Sequence, residues 1–307
     1  MVNRFCDLIG CARPLQQAAM SRVTTPSLVA AVSNAGGLGM LAVGRAPPDR
    51  VVGQLDHIDA LTSAPFGAGF IVRFLDRAAL EVVLPRVRCV EFFYDWPDPA
   101  LVPPGVITGW QVGTVDEARA AVDAGCRYVV AQGVEAGGHV RATVPLAELV
   151  PAVRAAVDVP VVAAGGLGTA GDVRAAWALG ADAVRIGTRL LAADEADIHP
   201  VYLRSLIEAK PDDAEYTDLF AVGWPDAPQR VLASAVRAAR ADGPDPVGHS
   251  GDTPLPRRGT TPPSSTTTGQ IEAMALYAGR SVGAVRVRQP AAAIVAELVG
   301  AEGCTEP

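Results

Sequence analysis

The stretch PVVAAGGLGTAGDVRAAWALGADAVRIGT, residues 160–188, decides the fold. It reads as an apolar strand (PVVAAGG, 160–166), a glycine-rich turn, a helix opened by Thr169 as N-cap, and a second apolar strand (AVRIGT, 183–188). Inside it GLGTAG (166–171) matches G-x-G-x-x-G, follows a strand and opens a helix, as a dinucleotide-binding fingerprint would. That reading also requires an acidic residue near the end of the next strand to hold a ribose. Here the next strand carries Arg185 and ends in Gly187 and Thr188. The unit also comes late in the chain, after six earlier strand-like runs. It is therefore a late β-α-β unit of a larger α/β fold, and not the start of a Rossmann half.

Working back from it, apolar strand-like runs stand at 14–19, 38–43, 66–72, 89–94, 106–112 and 128–133. Most are followed by helical patterns such as TPSLVAAVSNAGG and TVDEARAAVDAGC, each with a Thr N-cap and a stop at or near glycine. Over 114–125 apolar residues stand at 115, 118, 121 and 122, a one-faced stripe. Eight strands alternating with helices predict an α/β fold, a (β/α)8 TIM barrel, in preference to an open sheet. Beyond residue 190 HPVYLRSLIEAK and DAPQRVLASAVRAAR read as helices. The Pro-, Gly-, Thr- and Ser-rich stretch 241–269 reads as a lid or site wall, or else as a linker, before IEAMALYAGRSVGAV returns the chain to the body. The expected division is a barrel of residues 1–210 and 270–307, with 211–269 as a helical and loop insertion on the substrate side.

The composition fits this. Of 307 residues, 50% are hydrophobic, 19% charged and only 5% aromatic. That suits parallel strands buried on both faces under packed helices. A net charge of −7 argues against non-specific nucleic-acid binding. Cys6, Cys11, Cys89, Cys126 and Cys304 form no C-x-x-C pair, as expected of a reduced intracellular protein. The start, MVNRFCDLIGCARPL, has no apolar signal region. No run approaches the roughly 18 apolar residues of a membrane helix. A soluble cytoplasmic protein, monomer or homodimer, is the expectation.

Barrel chemistry sits at the C-terminal strand ends. Glycines gather there: Gly133, Gly137 and Gly138 after the sixth strand, Gly165 and Gly166 after the seventh, and Gly187 with Thr188 after the eighth. The last two loops form the usual phosphate site of such barrels, with backbone N–H groups as donors. His139 follows the glycine pair in AQGVEAGGHV, beside these loops, where it can act as base, acid or anion partner. His57, His199 and His249 read as a surface-helix residue, a helix-start residue and a loop residue. No H-x-x-x-H or Cys/His cluster suggests a metal. Cys89 and Cys126 lie away from the strand C-termini and read as core.

With these residues in view, AAMSRVTTPSLVAAVSNAGGLGML, VVAQGVEAGGHV, VVAAGGLGTAGDVRAAWALGADAVRIGTRLLA and ALYAGRSVGAVR together resemble the nitronate monooxygenases, formerly 2-nitropropane dioxygenases. The likeness runs over roughly residues 14–300. It implies a (β/α)8 barrel binding FMN non-covalently, with a smaller, mostly helical C-terminal portion at the mouth. It also implies oxidation of alkyl nitronates, or of nitroalkanes, by O2 to carbonyl compounds and nitrite, as a flavoprotein monooxygenase without a nicotinamide. Carried over by motif, Ala18, Ala19 and Met20 contact the flavin ring, and Gln111 and Gln132 approach the flavin or its ribityl chain. Gly137 and Gly138 lie along the cofactor, and Ala164, Gly165, Gly166, Gly187 and Thr188 hold its phosphate. His139 becomes the catalytic residue. Tyr277, Arg280 and the stretch TTPPSSTTTG close over the site, with Tyr277 on the substrate side. Two departures stand out: FGAGF puts Gly69 where many relatives have an asparagine, and Arg141 replaces a glycine, which would add a cation near the substrate. The nearest rival with the same fold is an FMN-dependent NAD(P)H:quinone or enoyl-thioester reductase. A phosphate-binding isomerase or lyase without flavin would need paired carboxylates, and only Glu135 is suitably placed. A non-catalytic flavin carrier is the third alternative.

Overall fold

The structure, a computed structural model, describes residues 3–300; Cys304 lies outside them. Eight strands form one parallel sheet: β1 (Leu15–Gln17), β2 (Gly39–Ala42), β3 (Phe66–Ile71), β4 (Cys89–Phe93), β5 (Ile107–Val112), β6 (Tyr128–Gln132), β8 (Val161–Ala164) and β9 (Ala183–Ile186). A two-residue strand, β7 (Gly138–His139), branches off between β6 and β8. The sheet runs β1-β9-β8-β6-β5-β4-β3-β2, and its edges meet where Gln16 bridges Leu38 in parallel. Leu38 N–H donates to the Leu15 carbonyl and Gln17 N–H to the Leu38 carbonyl, so the sheet closes into a barrel.

The helices are α1 (Arg4–Ile9), α2 (Pro26–Asn34), α3 (Pro48–Leu61), α4 (Arg77–Val83), α5 (Val115–Asp123), α6 (Leu146–Ala156), α7 (Ala170–Ala178), α8 (Pro200–Glu208), α9 (Ala233–Arg240) and α10 (Ala291–Val299). The threonine signals have the expected geometry. Thr25, Thr114 and Thr169 each accept a backbone N–H in the first turn of α2, α5 and α7, and Asp172 completes a capping box on α7. The connection after β4 has no α-helix, only a 3-10 turn at Pro99–Leu101. Pro97, Pro99, Pro103 and Pro104 deny that segment the N–H groups a longer helix needs. At the other end of the chain α10 packs on both α2 and α7, completing the outer ring.

The barrel's lower end is plugged by α1. Asn3 caps the helix, and Phe5 and Ile9 are buried in a cluster with Leu38, Met40, Cys89 and Tyr128. Phe5 meets the Tyr128 ring edge-on at 5.8 Å. Tyr128 fits inside because β5 has Gly109 opposite it; a Cβ there would lie 2.1 Å from the ring.

Beyond the barrel strands the chain adds α8, α9 and two small antiparallel sheets, β10-β11-β7 and β13-β12-β14. Their added strands are β10 (Ala214–Thr217), β11 (Gln229–Leu232), β12 (Gly248–Ser250), β13 (Thr253–Leu255) and β14 (Thr267–Gly269). The run read as one helix over 226–240 splits into β11 and α9. Pairing with the distant β10 and β7 outweighs local propensity there. The polar stretch 241–269 carries β12, β13 and β14, whose three-residue strands are too short to show a hydrophobic period. No helix among the described residues is long and apolar enough to cross a membrane.

Candidate active site

The C-terminal strand ends surround a cavity of about 1330 Å3, counting its open mouth. Ala18, Ala19 and Met20, leaving β1, line one side, and Gln111 and Gln132 line it from β5 and β6. Gly137, Gly138 and His139 overhang it, Ala164, Gly165 and Gly166 enter from β8, and Gly187 and Thr188 from β9. Tyr277 and Pro262 close part of the mouth. Gly69 also lines it; a Cβ there would stand 2.9 Å from the Ala19 Cβ, so β3 backbone packs directly on the end of β1.

Gly165 and Gly166 hold φ of +112° and +73°, which turns the loop so that its backbone faces the cavity. Their N–H groups donate to no group among the described residues. Between this loop and α7, the Gly168 and Thr169 N–H groups are already occupied, donating to Asp172 Oδ2 at 3.1 and 2.9 Å. The returning chain braces this corner, with Gly279 N–H donating to Thr188 Oγ1 at 3.0 Å and Arg280 N–H donating to the Glu135 carbonyl. The Arg280 side chain is exposed and absent from the lining.

His139 is presented by the pairing of β7 with β11. Its Nδ1 lies 2.9 Å from the Ala227 carbonyl, which can only accept, so Nδ1 carries the hydrogen. The Nε2 lone pair is left 3.4 Å from the Tyr277 hydroxyl, whose own hydrogen points to the Thr260 carbonyl at 2.7 Å. The ring stacks on Trp224 at 3.9 Å and meets the Tyr94 edge at 5.9 Å. Burial among these rings pushes the His139 pKa down to about 4 against the pull of the Ala227 bond, so the imidazole is neutral at neutral pH. Burial likewise raises the Tyr94 phenol to about 12 and the Tyr277 phenol further, so both stay protonated.

The cavity floor is a charged cluster that pattern reading passed over. Arg185 on β9 is bonded to Glu91 on β4, and its Nε and Nη2 both donate to Gln16 Oε1 at 3.2 and 2.8 Å. Gln16 and the Tyr128 hydroxyl each donate to Glu91 Oε2 at 3.1 Å. The available signal was one charge inside each of two apolar strands, Glu91 in CVEFF and Arg185 in AVRI. Trp224 and Tyr94 left no local signal, because both come from loops.

Arg141 does not line the cavity. It forks onto Glu117 Oε1, with Nε at 3.0 Å, while Glu117 Oε2 accepts from Gly113 N–H at 2.6 Å. Its cation is thus neutralised beside the β5–α5 turn, and we assign it no substrate contact. His57 and His249 are exposed, and His199 Nδ1 caps α8 by accepting from Val201 N–H. Cys89 and Cys126 are buried. Among the described residues no three His, Cys, Asp or Glu side chains converge on a metal site.

This is a barrel enzyme with its cavity built on the C-terminal strand ends. The nitronate monooxygenase family model matches residues 3–83 and 100–301, and the chain belongs to that family of oxidoreductases. A probable nitronate monooxygenase of Bacillus subtilis (strain 168) is 32% identical over 71% of this chain and 77% of its own. One from Staphylococcus aureus (strain JH9) is 28% identical over 88% and 96%. Among solved structures, FabK from Thermotoga maritima superposes with a TM-score of 0.78 at 28% identity, over 97% of this chain and 95% of that one. A nitroalkane oxidase from Streptomyces ansochromogenes gives 0.76 at 30% identity, over 96% of each chain.

Proposed function

We propose that the protein binds FMN and oxidises alkyl nitronates, or the nitroalkanes they derive from, with O2 to carbonyl compounds and nitrite. The observation that carries this is His139: a neutral imidazole over the cavity, with its Nδ1 hydrogen held by Ala227 and its Nε2 lone pair uncommitted. The chain suits the cofactor. The N–H groups of Gly165 and Gly166, with Gly187 and Thr188 beside them, form an anion cradle. Gln132 donates to the His139 carbonyl at 3.1 Å, while its buried Oε1 has no partner among the described residues, an acceptor waiting for a ligand hydroxyl or N–H. FMN, when bound, supplies the redox chemistry.

The protein's own part is positional and protic. Ala18, Ala19 and Met20 offer small side chains and backbone against a flat ring. His139 Nε2 takes the proton from the carbon bearing the nitro group, and the Ala227 carbonyl steadies the imidazolium that forms. Trp224 and Pro262, from segment 211–269, keep water from the ring, which makes that segment a substrate-side wall. The family relationship and the likeness to a nitroalkane oxidase support this substrate class.

Anaerobic mixing tests it. The flavin's visible absorbance is expected to bleach with propyl nitronate or nitropropane and to persist with NADH or NADPH. Rapid bleaching by a nicotinamide would make the protein a reductase of the quinone or enoyl-thioester kind. A preparation that neither carries nor takes up FMN would overturn the cofactor assignment.

A further inference from the structure

We propose that Arg185 is a positioning residue that fixes the polarity of Gln111, so that Gln111 shows the cavity N–H donors and never its oxygen; this rests on the FMN reading above. Arg185 Nη1 donates to Gln111 Oε1 at 2.6 Å. A guanidinium has no acceptor, so the atom it meets must be the amide oxygen, and the NH2 end of the side chain is left to face away from it. Gln111 is buried and lines the cavity, and the cavity is where those donors can be satisfied. Arg185 cannot turn aside: Gln16 holds its Nε and Nη2, and Glu91 bonds it as well.

Two cavity glutamines thus have opposite polarity. Gln132 gives its N–H to the His139 carbonyl and keeps an unpartnered oxygen, whereas Gln111 gives its oxygen to Arg185 and keeps its N–H groups. Arg185 is the only arginine or lysine in the lining among the described residues, and Glu91 neutralises it. The floor therefore offers the cofactor a directed hydrogen bond without a net cation. The partner on a flavin is a pyrimidine carbonyl, which only accepts.

The test uses apoprotein reconstituted with FMN carrying 13C at both pyrimidine carbonyl carbons, read by NMR, with the dissociation constant taken from flavin fluorescence. Gln111→Glu keeps an oxygen for Arg185 but removes the donor. It is expected to weaken FMN binding by about tenfold or more, the loss of one well-placed hydrogen bond, and to move one carbonyl resonance upfield. Glu91→Gln with Arg185→Met removes the clamp without leaving a buried unpaired charge. With Gln111 intact, the same resonance should move upfield in that variant. A merely structural role would weaken binding without selecting one carbonyl carbon. Unmoved carbonyl resonances in both variants overturn the proposal while leaving FMN binding in place. Failure of the unaltered protein to take up FMN overturns the cofactor reading, and this proposal with it.

Discussion

The two ends of the barrel treat polar groups in opposite ways. At the floor and below, Arg185, Glu91, Gln16 and Tyr128 bond to one another, and α1 seals them from beneath. At the mouth, hydrogen-bonding capacity is left open: Gly165 and Gly166 N–H, Gln132 Oε1 and His139 Nε2 have no strong partner among the described residues. An unmet buried polar group costs on the order of 1–3 kcal/mol. Open groups clustered on one concave wall therefore mark where a ligand completes the structure. The floor's polar groups are closed on one another, and those of the mouth are left open.

The sharpest way to break that contrast is at the cradle. Gly187 has φ of −114°, and a Cβ there has only Ala18 Cβ at 3.4 Å and Met20 Sδ at 3.8 Å as near neighbours, so a side chain fits and points at cavity residues. Gly187→Asp should fold normally by circular dichroism yet lose bound flavin almost completely, because a carboxylate faces the phosphate. A variant that purifies yellow would place the phosphate elsewhere.

Next in size, His139→Ala should retain FMN and lose about 10²–10⁴-fold in turnover on nitroalkanes, the usual contribution of a general base. The loss should be smaller on preformed nitronates, which need no proton removed. Equal activity of the variant on both substrates would remove His139 from proton transfer.

Glu91→Ala probes the other end. It leaves the Arg185 guanidinium buried and unpaired, and urea unfolding should show a loss of about 3–5 kcal/mol. A loss below about 1 kcal/mol would mean that the floor is not where stability is held.

The smallest effect is a shift along the pH axis. Trp224→Ala admits water to the His139 ring, so its pKa should rise from about 4 toward the ordinary 6.5. The active form is neutral, so activity falls as pH drops through that pKa, and the acid limb should move to higher pH in the variant. Linkage gives a companion sign. Because His139 is depressed in the folded state, the unfolded chain takes up the proton first, and the stability tied to this group declines as pH falls from about 6.5 toward about 4. In the variant that decline should flatten, which unfolding curves at two pH values would show.

How much of this was legible in sequence follows from where the information resides. The Thr25, Thr114 and Thr169 caps act within one helical turn, so they could be read directly and have the expected geometry. The helix missing after β4 was readable in kind, since its four prolines are local too. Arg141 was misjudged because proximity to His139 along the chain was taken for proximity in space. An extended strand points residues two apart to the same side, but β7 ends at His139, so that alternation does not carry on to Arg141, and Glu117, which holds Arg141, lies on α5.

By itself the sequence determined the barrel and the glycine loops at the ends of β6, β8 and β9. These rest on periodicity, capping and backbone freedom, which are properties of neighbouring residues. Only the tertiary structure decided the state of His139, since Ala227, Trp224 and Tyr277 reach it from segments 85 or more residues away. It alone also decided the polarity of Gln111, which depends on Arg185 across the barrel. Burial and hydrogen-bond partnership are relations between distant parts of the chain, and they exist only once the barrel has closed.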